Sequence, residues 1–191
     1  MSGTCAPRAL RMREEPRRVD SLRLQSHACS HAPSRAQFLF LIEPPDATAD
    51  SPIGSKRVLP VVIERKTIMK GRNNKPAGDL QASLETDRFY SQVERMNRSK
   101  LTHKVYLVEG DHALLNVEQQ AKLDELACRH GFHVVITVNQ WKTVLLLGQI
   151  ARLLNEQLVN GLIDPSTCLT VDEVTNNTRT HAPAAAAGGG D

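Results

Sequence analysis

Glu64, Arg65 and Lys66 follow the apolar run VLPVVI at residues 58–63 and bring the most suggestive chemistry in the chain. Side chains on a strand alternate between faces, so Glu64 and Lys66 project to one side of a sheet and Arg65 to the other. A carboxylate can ligate a divalent metal, and an ammonium beside it can steady a charged reacting group. An isolated acid-x-Lys triplet equally describes a solvated or salt-bridged strand end, so the surroundings decide its meaning. Asp79 stands at the head of a helical pattern, from where its carboxylate could turn back toward the same point. Arg88, Gln92 and Arg95 recur at helical spacing opposite Phe89, Val93 and Met96, a polar face suited to phosphate contacts. Glu109 closes the run KVYLVE, and the ends of parallel strands are where α/β ligands collect.

The elements that must position these groups follow from periodicity. Residues 38–42 (FLFLI) are a short apolar run stopped by Glu43-Pro44-Pro45-Asp46, as for a buried strand, and residues 43–57 are loop-like. The next strand spans 58–63, with Pro60 required near its start or at a bulge because proline cannot donate to a ladder. Residues 67–78 form an exposed, basic loop in this reading. A helix opens at Asp79, and Asp87 recaps a second helical segment. Strands at 104–108 and 133–138 alternate with helices begun by Asn116 and Asn139 and ended by Gly131 and Gly161. Beyond Gly161 the chain is expected to be weakly structured. The pattern is that of an α/β layer around a sheet of about four strands with some parallel pairing, in which the first two strands could form a hairpin.

The chain's 191 residues suffice for one domain plus tails. Its formal charge of +3 is uneven: residues 1–35 carry seven Arg and three acids, so the remainder is slightly acidic. Bulk charge therefore does not argue for nucleic-acid binding, which would need a local patch. Residues 1–35 are expected to be a disordered Arg-rich arm, with a short helix near residues 19–24. Cys5, Cys29, Cys128 and Cys168 form no CxxC pair and point to reduced thiols; His27, Cys29 and His31 lack a second ligand cluster. No apolar run reaches the roughly 18 residues of a membrane helix and no hydrophobic signal core opens the chain, which leads to an expectation of a cytosolic or nuclear protein. The sequons at Asn97 and Asn176 are then chance matches. The end PAAAAGGGD at 183–191 is of low complexity.

Taken in order, ERK, DL, DRFYSQVERM and KVYLVEG resemble the XPF-type structure-specific nuclease domain. Within that family they are most similar to catalytic subunits of the Mus-type crossover junction endonucleases. GFHVVITVNQWKTVLLLGQIARLLNEQL and CLTVDEVTNNT carry the likeness on to about residue 178. The resemblance implies a restriction-endonuclease-like, three-layer α/β fold with a central mixed sheet flanked by helices. It divides the chain into the arm at 1–35, a nuclease domain at 36–160, a linker at 161–178 and a tail at 179–191. It further implies Mg²⁺-dependent hydrolysis (Mn²⁺ as a substitute) of branched DNA such as 3′ flaps, forks and nicked junctions, in repair and recombination in the nucleus. Glu64 and Asp79 would be metal ligands; Lys66 would stabilise the attacking water or developing charge; Arg65 would be structural or touch phosphate. Arg88, Gln92 and Arg95 would contact DNA. An Eme-type non-catalytic subunit would be the partner.

The sequence departs from the family pattern at definite places. Ala36-Gln37 stands where the family has Gly-Asp, so a neutral amide replaces an acidic ligand. The family's upstream acid-bearing strand has only a faint counterpart at Val19-Asp20. Residues 67–78 contain an insertion of roughly nine residues between ERK and Asp79, which an exposed loop can absorb because closure entropy grows slowly with length. The family's C-terminal helix–hairpin–helix module is not matched. These departures lead to the expectation of a truncated or mispredicted gene product. They also support the alternative of a DNA-binding or dimerising paralogue with impaired catalysis. A nucleotide-binding domain is disfavoured by the lack of a glycine-rich phosphate loop.

Overall fold

The computed structural model describes residues 22–28, 36–42, 52 and 56–179. Its centre is a five-stranded sheet in the order β1-β2-β3-β6-β7, built from β1 (Leu22–Ala28), β2 (Ala36–Ile42), β3 (Arg57–Thr67), β6 (His103–Glu109) and β7 (His133–Thr137). The first three strands pair antiparallel and the last three parallel, so the sheet is mixed. A separate two-stranded ribbon joins β4 (Met69–Lys70) to β5 (Pro76–Ala77). The helices are α1 (Asp79–Leu84), α2 (Arg88–Arg98), α3 (Val117–His130), α4 (Gln140–Val159) and α5 (Val171–Thr178).

Alternation along β3 divides the core into two layers. Val58 and Val62, with Leu39, Leu41, Tyr106 and Val108, face α1, α2, α3 and α5 through Leu80, Phe89, Met96, Leu123 and Val174. Leu59, Val61 and Ile63, with Phe40 and Leu107, face α4 through Leu147, Leu154 and Leu158. Helices on both sides of one sheet make the three-layer α/β arrangement expected of a restriction-endonuclease-like fold. The pairing of β2 with β3 is the anticipated hairpin. Its register shifts between Leu39 and Leu41, opposite the stretch of β3 that contains Pro60, so the proline sits at an irregularity.

Three expectations are corrected. Within the N-terminal arm, the helix near residues 19–24 gives way to β1 from Leu22. Leu22 and Leu24 alternate with Arg23 and Gln25 at period two, and β2 supplies the ladder. The loop at 67–78 is instead the β4/β5 ribbon, closed by a 3₁₀ turn at Arg72–Asn74, with Gly71 N–H donating to Lys75 O at 2.8 Å. The weakly structured segment after Gly161 contains α5, which opens with a capping box between Thr170 and Glu173 and buries Val171 and Val174. That segment is stitched to the start of β3 by Val58 N–H to Leu169 O at 2.7 Å and Val171 N–H to Lys56 O at 3.0 Å. Elsewhere the caps fall as expected. Asn116 and Asn139 accept from Gln119 and Lys142, and Gly131 takes the left-handed conformation after α3. Asp87 precedes α2 but its side chain makes no capping bond.

Residues 1–21, 29–35, 180–191 and most of 43–55 lie outside the described residues, and with them Cys29, His31 and the low-complexity end. Among the described residues no helix is long and apolar enough to cross a membrane.

Candidate active site

The parallel half of the sheet brings Glu64 and Lys66 to the end of β3 on the α1/α2 side, as alternation dictates. Glu64 is 0% and Lys66 1% exposed, so both charges are fully buried. Lys66 Nζ lies 3.0 Å from Glu64 Oε1, and an Arg95 guanidinium nitrogen lies 3.5 Å from Oε2. These are ion-pair distances, yet among the described residues neither carboxylate oxygen accepts an aligned hydrogen bond. A buried charge held only by unaligned counter-charges is unusual, because desolvation favours full satisfaction of its lone pairs.

Arg65 points to the opposite face, where its guanidinium grips Glu109 bidentately at 3.1 and 2.6 Å. Burial alone would raise the Glu109 pKa; hydrogen bonds from Arg65 and Thr143, and the Arg65 charge, outweigh it and hold the carboxyl below its usual range. Glu109, although it ends a parallel strand, is therefore a brace between β3 and β6 on the α4 side, away from Glu64. Period two along KVYLVE already separates it from Tyr106, the residue on the Glu64 face.

Asp79 reaches the end of β3 by a local device. The β4/β5 ribbon carries the chain out and back, so Asp79 N–H donates to Thr67 Oγ1 at 3.3 Å, and the Thr67 hydroxyl donates to Asp79 Oδ2 at 3.5 Å. Gly78 makes this return possible: its φ is +107°, and a Cβ there would stand 2.5 Å from Thr67 O. The insertion between ERK and Asp79 thus leaves the acid tied to the residue after Lys66. Thr67 was not singled out from the sequence, and no motif spacing marks it.

On helix α2, Gln92 leaves the polar face opposite Phe89, Val93 and Met96 that the spacing predicts, while Arg88 and Arg95 are half-buried. Gln92 is 2% exposed and lies among the buried residues with Phe89, Val93 and Met96, while Tyr90, Ser91, Glu94, Asn97 and Arg98 face solvent. Both ends of the Gln92 amide, and Arg95 Nε, are buried without a hydrogen-bond partner among the described residues. Helical spacing alone does not distinguish a polar residue turned to water from one buried among apolar neighbours, as Gln92 is.

On β2, Gln37 is the cross-strand partner of Glu64. Directly opposed residues share a face, so the half-buried Gln37 amide belongs to the Glu64 side. Across β3 on the other flank, Tyr106 is in register with Glu64, fully buried, and its hydroxyl has no partner among the described residues. Burial first, and then the Glu64 charge, push its pKa far up. Among the described residues no three of His, Cys, Asp and Glu converge as a metal-binding group. What the site does offer a hard cation is a buried carboxylate with two unsatisfied oxygens, a second carboxylate on the adjoining helix terminus and a neutral amide. Carboxylate and amide oxygens are donor types suited to a hard cation, and with Gln37 at the β2 position the set holds two acids.

The chain is also similar in sequence to known proteins. The ERCC4 domain matches residues 12–150. Crossover junction endonuclease MUS81 of Oryza sativa subsp. japonica is 28% identical over 135 residues, which cover 66% of this chain and 19% of that protein. The chain thus spans about a fifth of the length of this relative. The match to the ERCC4 domain begins upstream of β1, so it includes the edge strand that composition alone assigned to a disordered arm.

Proposed function

We propose, from the premise that this chain belongs to the ERCC4 (XPF-type nuclease) domain family, that it acts as the nuclease domain of a structure-specific DNA endonuclease. Its substrates would be branched DNA, namely 3′ flaps, forks and nicked junctions, in repair and recombination. The observation that carries the reading is the buried Glu64–Lys66 pair, with Asp79 tied to the same strand end by Thr67.

In this reading Glu64 and Asp79 hold Mg²⁺, with Gln37 the nearest neutral oxygen donor on the flanking strand. The cation, when bound, supplies Lewis-acid polarisation of the phosphodiester. The remaining roles belong to side chains already in place. Lys66, kept beside Glu64 by burial, presents an ammonium where negative charge builds on the reacting phosphate. Arg95, one-fifth exposed, bridges the buried carboxylate and the open side, so it can turn from Glu64 to a DNA phosphate. Arg65 and Glu109 fix the spacing of β3 and β6 beneath the site. An Eme-type subunit is the proposed partner. Supporting a protein partner, Ile136, Val138, Trp141, Val144 and Leu145 are exposed along β7 and α4 beside an open groove of about 470 Å³.

The test is cleavage of a labelled 3′ flap with Mg²⁺ by the chain and by Glu64→Gln. Loss of at least about a hundredfold in the variant is expected, the scale of removing a group that acts in the transition state. Equal cleavage by both proteins removes the proposed centre. A second reading, a DNA-binding paralogue without turnover, is favoured by one observation: Gln37 opposite Glu64 leaves the site short of charge. It predicts salt-dependent binding to branched DNA with no product.

A further inference from the structure

Tyr106 is the largest fully buried side chain in the described structure, and it occupies the β6 position in register with Glu64. The two residues share the α2 side of the sheet, and the Tyr106 ring is fixed there by an edge contact with Phe89, centroids 6.0 Å apart at 73°. Among the described residues its hydroxyl has no hydrogen-bond partner, and on the next strand neither Glu64 oxygen has an aligned donor. A buried hydroxyl without a partner costs stability, and so does a carboxylate with unsatisfied oxygens. If only bulk were required between α2 and β6, phenylalanine would fill the same volume without that cost. A phenol donor and a carboxylate acceptor on adjacent strands, each unsatisfied, are complementary.

We propose that Tyr106 is a positioning residue whose hydroxyl donates to the Glu64 carboxylate in the working site. The inference rests on the nuclease reading, since it assigns Glu64 a carboxylate that must be oriented. Lys66 and Arg95 hold Glu64 by charge, which is insensitive to direction, whereas a hydroxyl bond fixes which lone pair faces outward. The free oxygen then keeps one orientation toward the cation, and the tyrosine never touches substrate. Loss of such a supporting bond lowers metal affinity or turnover by about 10- to 100-fold.

The experiment compares the full chain with Tyr106→Phe and Glu64→Gln. Three quantities are measured: kcat and KM on a labelled 3′ flap with Mg²⁺, Mn²⁺ affinity without DNA by calorimetry, and melting temperature. For Tyr106→Phe we expect kcat and Mn²⁺ affinity each about tenfold lower or more, KM for DNA unchanged, and a melting temperature unchanged or raised. Wild-type kcat and Mn²⁺ affinity in Tyr106→Phe would overturn the proposal and leave the hydroxyl an idle orphan. A lowered melting temperature in Tyr106→Phe would overturn it too, by making the hydroxyl a fold-stabilising bond. Should the chain itself prove unable to cut, the Mn²⁺ comparison decides alone. Wild-type behaviour of Glu64→Gln in cleavage and Mn²⁺ binding would instead sink the nuclease reading.

Discussion

Replacing Lys66 with Met separates the electrostatics of the centre from its bulk. The methionine fills nearly the volume of the lysine stem but leaves the Glu64 charge facing only Arg95. At 3.0 Å and an effective dielectric constant near 20, the Glu64–Lys66 attraction is about 5 to 6 kcal/mol before desolvation. Desolvation of both groups cancels much of that in the intact pair. Removing one partner leaves the other buried and uncompensated, and such losses run at about 3 to 5 kcal/mol. Arg95 stays at 3.5 Å, so the lower figure, about 3 kcal/mol, applies here. With a urea slope of about 2 kcal/mol/M, the midpoint should fall by about 1.5 M. The double variant Glu64→Gln, Lys66→Met removes both charges and should be more stable than Lys66→Met alone by at least about 1 kcal/mol, a coupling that urea titration of the four proteins measures. A Lys66→Met cost below about 1 kcal/mol, the value of an exposed pair, would refute the reasoning, and so would strict additivity in the double variant. The comparison also shows which inactive variants are folded, without which no cleavage assay at this site can be interpreted.

Other perturbations test the scaffold and the missing charge. Gly78→Ala places a Cβ 2.5 Å from Thr67 O at φ +107°, so stability should drop by about 2 kcal/mol or more, and cleavage should fall with it as Asp79 is displaced. Thermal melting with a flap assay checks both, and an unchanged protein would show that the ribbon does not set the position of Asp79. Glu109→Gln removes the carboxylate that Arg65 grips bidentately and should cost about 1.5 to 3 kcal/mol near neutral pH. Because the folded Glu109 pKa is lowered, its contribution is complete above the unfolded value of about 4.3 and is lost as pH falls through the folded one. The wild-type advantage should therefore be constant above about pH 5 and shrink below about pH 4, as denaturant titrations at stepped pH would reveal. Gln37→Asp supplies a negative charge opposite Glu64 and should tighten Mg²⁺ binding by about tenfold, with a rise in flap cleavage. Unchanged affinity in calorimetry would mean that the β2 position does not face the cation.

Much of the fold was legible because it follows from local rules. Alternation in VLPVVIERK sets Glu64 and Lys66 on one face and Arg65 on the other, whatever surrounds them. Asn116, Asn139 and Gly131 fixed helix ends through bonds confined to a few neighbouring residues. The ordered motifs identified the family from a few short stretches, and the match to residues 12–150 bears that out. Segments whose structure depends on distant partners were missed. β1 exists because β2 offers it a ladder, and α5 is helical because Val171 and Val174 find a core to enter.

The chemistry divides along the same line. Sequence alone determined which groups the site has to work with: a carboxylate and an ammonium at period two, an acid at a helix head, and an amide in place of an acid at position 37. Only the tertiary structure decided what those groups meet. Strand register put Gln37 and Tyr106 on either flank of Glu64, and register belongs to the pairing of remote segments. Packing turned Arg95 toward a buried carboxylate, and Arg65 paired with Glu109, because charges withdrawn from water must find partners inside.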